Sequence, residues 1–195
     1  MRKRADDIAE TRKRIVAAAV RLHGTIGPAA TTISALAEEA GVTRLTVYRH
    51  FPDDGALVAA CSQHWASAQI LPDPDAWSRV GDPAQRLHTG LSDLYRFYRD
   101  GEPMLTNVRR DRAVLPTEVQ KRTDATEARY VETLLAPYDV RGARRKRLNA
   151  VLGHAVSFWT WRSLCIDHGL TDNEATRAMT ALILATATPQ RTPRP

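Results

Sequence analysis

Residues 32–51 read TISALAEEAGVTRLTVYRHF, and this stretch decides the fold. Thr32 is placed to cap a helix, because its hydroxyl can accept an amide hydrogen of the first turn. Ile33, Leu36, Ala37 and Ala40 then follow at the i, i+3, i+4, i+7 spacing of one buried face. Gly41 sits where the chain leaves that helix and must adopt a left-handed conformation. Thr43 caps a second, shorter helix from Arg44 to His50, with Val47 and Phe51 turned inward. Pro52 ends it, since proline pushes the preceding residue out of helical geometry. Two short helices joined by Ala40-Gly41-Val42 make a helix-turn-helix, whose second helix presents polar and cationic tips to base edges while its other face packs.

The outward positions of that second helix are Arg44, Leu45, Thr46, Tyr48 and Arg49. Thr43 stands at a helix start, where free amide hydrogens favour a phosphate. Arg44, one residue further in, can donate two hydrogen bonds to guanine O6 and N7 in a major groove. Arg49 can reach either a phosphate or a base. Upstream, Ile8, Ile15, Ala19 and Leu22 share a helical face that Gly24 and Gly27-Pro28 bring to a stop. Downstream, Asp53 caps a fourth helix with Leu57, Cys61 and His64-Trp65 at helical spacing.

The 195 residues are 43% hydrophobic and 26% charged, ordinary for a globular chain of one domain or two. Residues 1–50 hold nine Lys/Arg against five Asp/Glu, so four of the six net positive charges lie in the first quarter, as expected beside a polyanion. No run of eighteen apolar residues offers a membrane span, and Met1-Arg2-Lys3-Arg4 runs into Asp6 and Asp7 instead of the apolar core of a signal peptide. Cys61 and Cys165 form no CxxC, so no disulfide framework or zinc ribbon is expected; both are read as packing residues in a reducing cytoplasm. GxSxG, HExxH, P-loop and GxGxxG motifs are missing, and the six histidines show no metal-ligand spacing. The reading is therefore a protein that is not an enzyme and has no metal or cofactor.

Beyond residue 70 the spacing stays helical, near 83–100, 103–113, 116–136, 143–168 and 172–187, with breaks at Leu71-Pro72-Asp73-Pro74 and Gly81-Asp82-Pro83. No alternating strand pattern appears, so the fold class is all-α. The expected division is a helix-turn-helix domain at 1–52, a connecting helix at 53–71, a larger helical domain at 72–188 and a disordered tail at 189–195.

The N-terminal third resembles the TetR family of bacterial transcriptional regulators. The resemblance is carried by Ile33, Leu36-Ala37, Ala40-Gly41-Val42, Thr43, Thr46-Val47-Tyr48, His50-Phe51-Pro52 and Ala56-Leu57. Arg12, Ile15, Ala18, Ala19, Leu22, Gly24 and Gly27 fit ahead of them. It implies a homodimer that binds a double-stranded operator palindrome through a three-helix domain, most often as a repressor. A C-terminal helical domain would hold the ligand pocket and the dimer interface. Carried over by position, Thr32, Thr43, Tyr48 and His50 would contact phosphates. Arg44, Leu45, Thr46 and Arg49 would face bases, with Tyr48 able to do both. The family commonly has a lysine at the start of the fourth helix, where this chain has Asp54 beside Asp53. Two carboxylates there would repel DNA, and the Arg2-Lys3-Arg4 arm is expected to compensate at a phosphate or in the minor groove.

Segment 143–168 opens with Arg144-Arg145-Lys146-Arg147, read as a solvated end, and is apolar on more than one face from Leu148 onward. With segment 172–187 it suits a dimeric four-helix bundle, for which Val151, Ala155, Trp159, Met179, Leu182 and Ile183 are the candidate interface. His154, Phe158 and Trp161 recur at i, i+4, i+7, and Tyr95 and Tyr98 are neighbours on another helix. Together with Trp65 and Met104 they are the candidate walls of a pocket for a small hydrophobic or aromatic ligand. The fourth helix would then act as the lever between ligand and DNA. Two other readings remain open: a sequence-tolerant architectural DNA-binding protein without a ligand, and an all-helical enzyme.

Overall fold

Three of the N-terminal helices begin at a side-chain N-cap, and one of them ends at a left-handed glycine. The computed structural model describes the backbone of residues 2–188 and the side chains of residues 6–188; segment 189–195, expected to be disordered, lies outside them. Helix α1 (Arg2–Thr25) buries Ile15, Ala18 and Ala19 completely, but Ile8, expected on the same face, is 53% exposed. The helix passes through Gly24 and stops at Gly27 (φ 92°), ahead of a 3-10 turn at Pro28–Ala30. Helix α2 (Ile33–Ala40) is capped by Thr32, whose Oγ1 accepts from Ala35 N at 3.1 Å. It ends at Gly41, left-handed with φ 63°. Helix α3 (Arg44–His50) is capped by Thr43, which accepts from Thr46 N at 3.2 Å. Helix α4 (Asp54–Ser67) is capped by Asp53, which accepts from Ala56 N at 2.7 Å. Leu36, Val47, Phe51, Leu57 and Cys61 close on Ile15, Ala18 and Ala19 as one core.

After α5 (Pro74–Ser78) and α6 (Pro83–Asp100) come α7 (Glu102–Arg110), a 3-10 turn at Arg112–Val114 and α8 (Thr117–Leu135). Helices α9 (Gly142–Ala155), α10 (Phe158–Arg162) and α11 (Asp172–Ala187) complete the chain. All described regular structure is helical, with eleven α-helices and no strand among the described residues.

The chain divides into two compact units, Met1–Ile70 with Gly101–Arg122, and Leu71–Asp100 with Thr123–Pro195. The first unit differs from the expected division, in which 101–122 goes with the C-terminal region. The cause is polar. Asn107 Nδ2 donates to His23 O at 3.1 Å, Arg110 Nη2 donates to Ile26 O at 3.0 Å, and Asp111 Oδ2 accepts from Ala29 N at 3.0 Å. These bonds fasten α7 to the end of α1 and to the turn that leads into α2. Arg110 also pairs with Asp111, through Nε to Oδ1 at 2.7 Å, which holds the carboxyl below its usual range.

In the second unit Trp77 (1% exposed) packs its ring against Tyr130, 5.2 Å between centroids, and its indole N–H donates to Asp93 at 2.9 Å. Gly90 allows this closeness, because a Cβ there would come within 2.8 Å of Leu134 and 3.2 Å of Trp77.

The expected continuous helix over 143–168 is interrupted. It breaks at Val156-Ser157, continues as α10 and loosens into a π turn at Ser163–Asp167. Ser157 becomes a new N-cap, its Oγ accepting from Trp159 N at 3.3 Å. In an unbroken helix the carbonyls of Ala155 and Val156 would receive Trp159 N and Thr160 N. Here they receive two phenols instead: Tyr95 donates to Ala155 O at 2.9 Å and Tyr98 to Val156 O at 2.6 Å.

Candidate nucleic-acid interface

The outer side of α3 is open because its inner side is saturated. Val47 (0% exposed) and Phe51 (3%) carry the packing, which leaves Leu45 at 69% and Tyr48 at 48% exposure. Arg44 and Arg49 are exposed and have no hydrogen-bond or ion-pair partner among the described residues. Four of the five candidate base-reading side chains therefore form one free surface. Thr46 differs: it is half-buried, and its Oγ1 lies 2.9 Å from Thr43 Oγ1, turned toward the cap.

Of the candidate phosphate contacts, Thr32 and Thr43 are caps whose oxygens already accept from Ala35 N and Thr46 N. Their hydroxyl hydrogens are what they can offer outward. His50 is half-buried at the end of α3, and its carbonyl accepts from Arg12 Nη1 at 2.9 Å. The side chains of Arg2, Lys3 and Arg4 lie outside the described residues. Asp53 occupies the start of α4 with its own carboxylate, and Asp54 beside it is exposed, so this helix start offers an anion carboxylates where amides would be needed.

The charge of the first quarter is partly internal. Arg12, Arg14 and Arg21 spend their guanidinium groups on His50 O, on Ala40 O and Gly41 O, and on Glu39. Lys13, Arg44 and Arg49 are the described cations of this region left without such partners. A count of charge along the sequence assigns all of them to a face toward a polyanion. The signal it misses is that Arg12 shares the stripe of Ile15, Val16 and Ala19, and that Arg14 stands one turn before the buried Ala18. Both residues are exposed, but these positions lay their long side chains against the ends of α2 and α3, where free carbonyls accept.

Residues 32–51 thus form a helix-turn-helix with a saturated inner face and an exposed outer one, on which Arg44 has no partner among the described residues. Residues 15–61 match the family model described as bacterial regulatory proteins, tetR family. Over these residues, about a quarter of the chain, the sequence is similar to that family. The fold agrees along nearly the whole length. PfmR, a TetR-family transcriptional regulator of Thermus thermophilus, aligns with 21% identity and TM-score 0.62 over 88% of this chain and 97% of its own. A TetR-family regulator from Streptomyces coelicolor aligns with 20% identity and TM-score 0.64 over 91% of this chain and 80% of its own. NalD, the secondary repressor of the MexAB-OprM multidrug efflux pump in Pseudomonas aeruginosa, aligns with 17% identity and TM-score 0.62 over 93% of this chain and 97% of its own. No curated protein sequence is significantly similar.

The residues expected around a ligand are distributed between the two units. Trp65 and Met104 belong to the first, where Trp65 lies so close to Gly101 that a Cβ there would come within 2.9 Å of it. Tyr95, Tyr98, Phe158 and Trp161 belong to the second and are buried together; the Tyr98 ring lies 5.4 Å from Phe158 and 6.0 Å from Trp161. His154 is exposed, since the break after Val156 turns the expected stripe. Of the candidate dimer residues, Ala155, Met179 and Ile183 point into the core of their own unit. Trp159 and Leu182 are 47% and 46% exposed, and Val151 is half-buried. The Cys61 thiol is pushed up to about 12 by burial, and that of Cys165 to about 11 by burial and Asp172, so both stay protonated at neutral pH. No group of His, Cys, Asp and Glu suited to a metal occurs among the described residues, and none of their helices is long and apolar enough to cross a membrane.

Proposed function

We propose that this chain is a repressor that binds an operator palindrome as a homodimer and leaves it when a small hydrophobic molecule binds. The observation that carries the reading is the free outer face of α3, Arg44, Leu45, Tyr48 and Arg49, on a helix whose inner face is fully buried. Arg44 reads a guanine, while Thr32, Thr43 and His50 hold phosphates, helped by the Arg2-Lys3-Arg4 arm. Repression is supported by the likeness to NalD, itself a repressor. The exposed Trp159 and Leu182 support a second copy on the α9–α11 face, which would set two recognition helices about 34–36 Å apart, one DNA turn. The ligand site is assigned to the aromatic side chains of the C-terminal two-thirds, and the target places the protein in the cytoplasm.

The test is selection of bound fragments from genomic DNA at physiological salt, with Arg44→Ala in parallel. A short palindrome should be enriched, and the variant should lose about 1–3 kcal/mol at one base pair of each half-site while tolerating any base there. A uniform loss over all sequences would move Arg44 to a phosphate. Binding without any motif would favour the architectural reading. A library of hydrophobic molecules screened by thermal shift then identifies ligands, and a ligand that stabilises the protein without weakening operator binding refutes ligand-induced release.

A further inference from the structure

Arg12, Lys13 and Arg14 are consecutive cations of α1, yet two of them are bound to the ends of the reading helices. Arg14 Nη2 donates to Ala40 O at 2.6 Å and to Gly41 O at 2.9 Å, the last carbonyls of α2. Arg12 Nη1 donates to His50 O at 2.9 Å, the last carbonyl of α3, and its guanidinium carbon stands 4.1 Å from the Phe51 ring centroid. Helices α2 and α3 have 8 and 7 residues, too short to persist alone in water. Their C-termini carry orphan carbonyls and the negative end of the helix dipole. Helix α1 supplies from outside the cation that closes each of them.

We propose that Arg12 and Arg14 are positioning residues for sequence reading. Arg14 holds the turn that leads into α3, Arg12 holds the end of α3, and neither contacts a phosphate. The absence of a side chain at Gly41 belongs to the same device, because a Cβ there would come within 2.9 Å of Arg14 Nη2. The inference rests on α3 being the recognition helix. It separates two quantities that a phosphate contact would move together. A lost phosphate contact weakens specific and non-specific binding alike and flattens the log-log salt dependence by about 0.9. A lost clamp lets α3 wander, which weakens only the sequence-dependent part.

The experiment uses the full chain, with the palindrome enriched from a random duplex pool as specific probe and poly(dI-dC) as non-specific probe. Arg14→Lys and Arg12→Lys keep the charge and the fold, but an ammonium lacks the planar fork that the carbonyl geometry uses. Each should lose operator affinity by about tenfold or more, as expected for a charged hydrogen bond, with poly(dI-dC) affinity and salt slope as in the wild type. Amide hydrogen exchange over residues 40–51 should quicken, while α6 is unchanged. Lysine variants that bind the operator as the wild type does overturn the proposal if Arg14→Ala or Arg12→Ala lowers both affinities and flattens the slope, since that is the signature of a phosphate contact. Unchanged exchange over 40–51 overturns it whatever the DNA result. A wild-type protein that enriches no palindrome refutes the operator reading instead, and the exchange measurement still judges the clamp.

Discussion

Gly41 shows how much one residue settles. Its φ of 63° is a conformation that a side chain resists, and the space over its Cα is occupied by the Arg14 guanidinium. Gly41→Ala therefore combines a left-handed backbone penalty of about 1–2 kcal/mol with loss of a clamp on the α2 end. Chemical denaturation should show a destabilisation of about 2 kcal/mol, with operator affinity reduced even where the protein is still folded; a neutral result would mean that the turn is looser than its geometry. His23 carries a second residue-scale prediction. Burial lowers its affinity for a proton, and Asp111 nearby only partly offsets that. The unfolded chain therefore binds a proton more readily than the folded one around the ordinary histidine value of about 6.5, so stability is present above it and falls as the pH drops through it. His23→Gln should flatten that limb of the stability-pH curve. An unchanged limb would assign it to other groups.

The elements whose limits were legible in the sequence are those whose limits are made locally. Thr32, Thr43 and Asp53 cap helices through a bond to the amide three residues on, and Gly41 ends one by its own conformation, so a short window contains the cause. The exposed face of α3 was legible for the same reason, as the complement of Val47 and Phe51. The break in segment 143–168 was not. Val156-Ser157 contains neither proline nor glycine, and apolar spacing continues across it; its cause lies in Tyr95 and Tyr98, about sixty residues earlier in the chain. The same holds for α7 joining α1 through Asn107, Arg110 and Asp111, and for Arg12 and Arg14 serving as distant C-caps. Arg144 repeats that device on the second unit, donating to Ala187 O at the end of α11. The break gives an element-scale prediction. Tyr98→Phe keeps the ring among Phe158 and Trp161 but leaves Val156 O buried without its donor, so it should cost about 1–3 kcal/mol. Thermal unfolding of Tyr98→Phe reads the cost, and a midpoint equal to that of the wild type would mean that water replaces the phenol.

At the scale of the molecule, the arginine-rich composition has two uses that net charge merges. Of the 28 Lys and Arg residues only Lys3, Lys13, Lys121 and Lys146 are lysines. The planar fork of arginine can meet paired carbonyls as well as phosphates, so part of the positive charge holds helix ends and part, at Arg44 and Arg49, is left exposed on α3. Apolar surface divides in the same way. Ile183 and Ala155 are fully buried within one chain, whereas Trp159 and Leu182 are half exposed on the same group of helices, uncovered by the described residues. Substitution at the first pair should unfold the protein, and at the second pair should separate its copies. Trp159→Asp combined with Leu182→Asp is accordingly expected to turn a dimer into a folded monomer in sedimentation, with helical circular dichroism retained. Because two half-sites bound together gain by effective concentration, the monomer should lose operator affinity by about a hundredfold or more while a single half-site duplex is bound as before. Ile183→Asp serves as the contrast and should lower the unfolding midpoint without yielding a stable monomer. A double variant that still sediments as a dimer would place the interface on another face, and the spacing between recognition helices would then follow from that face.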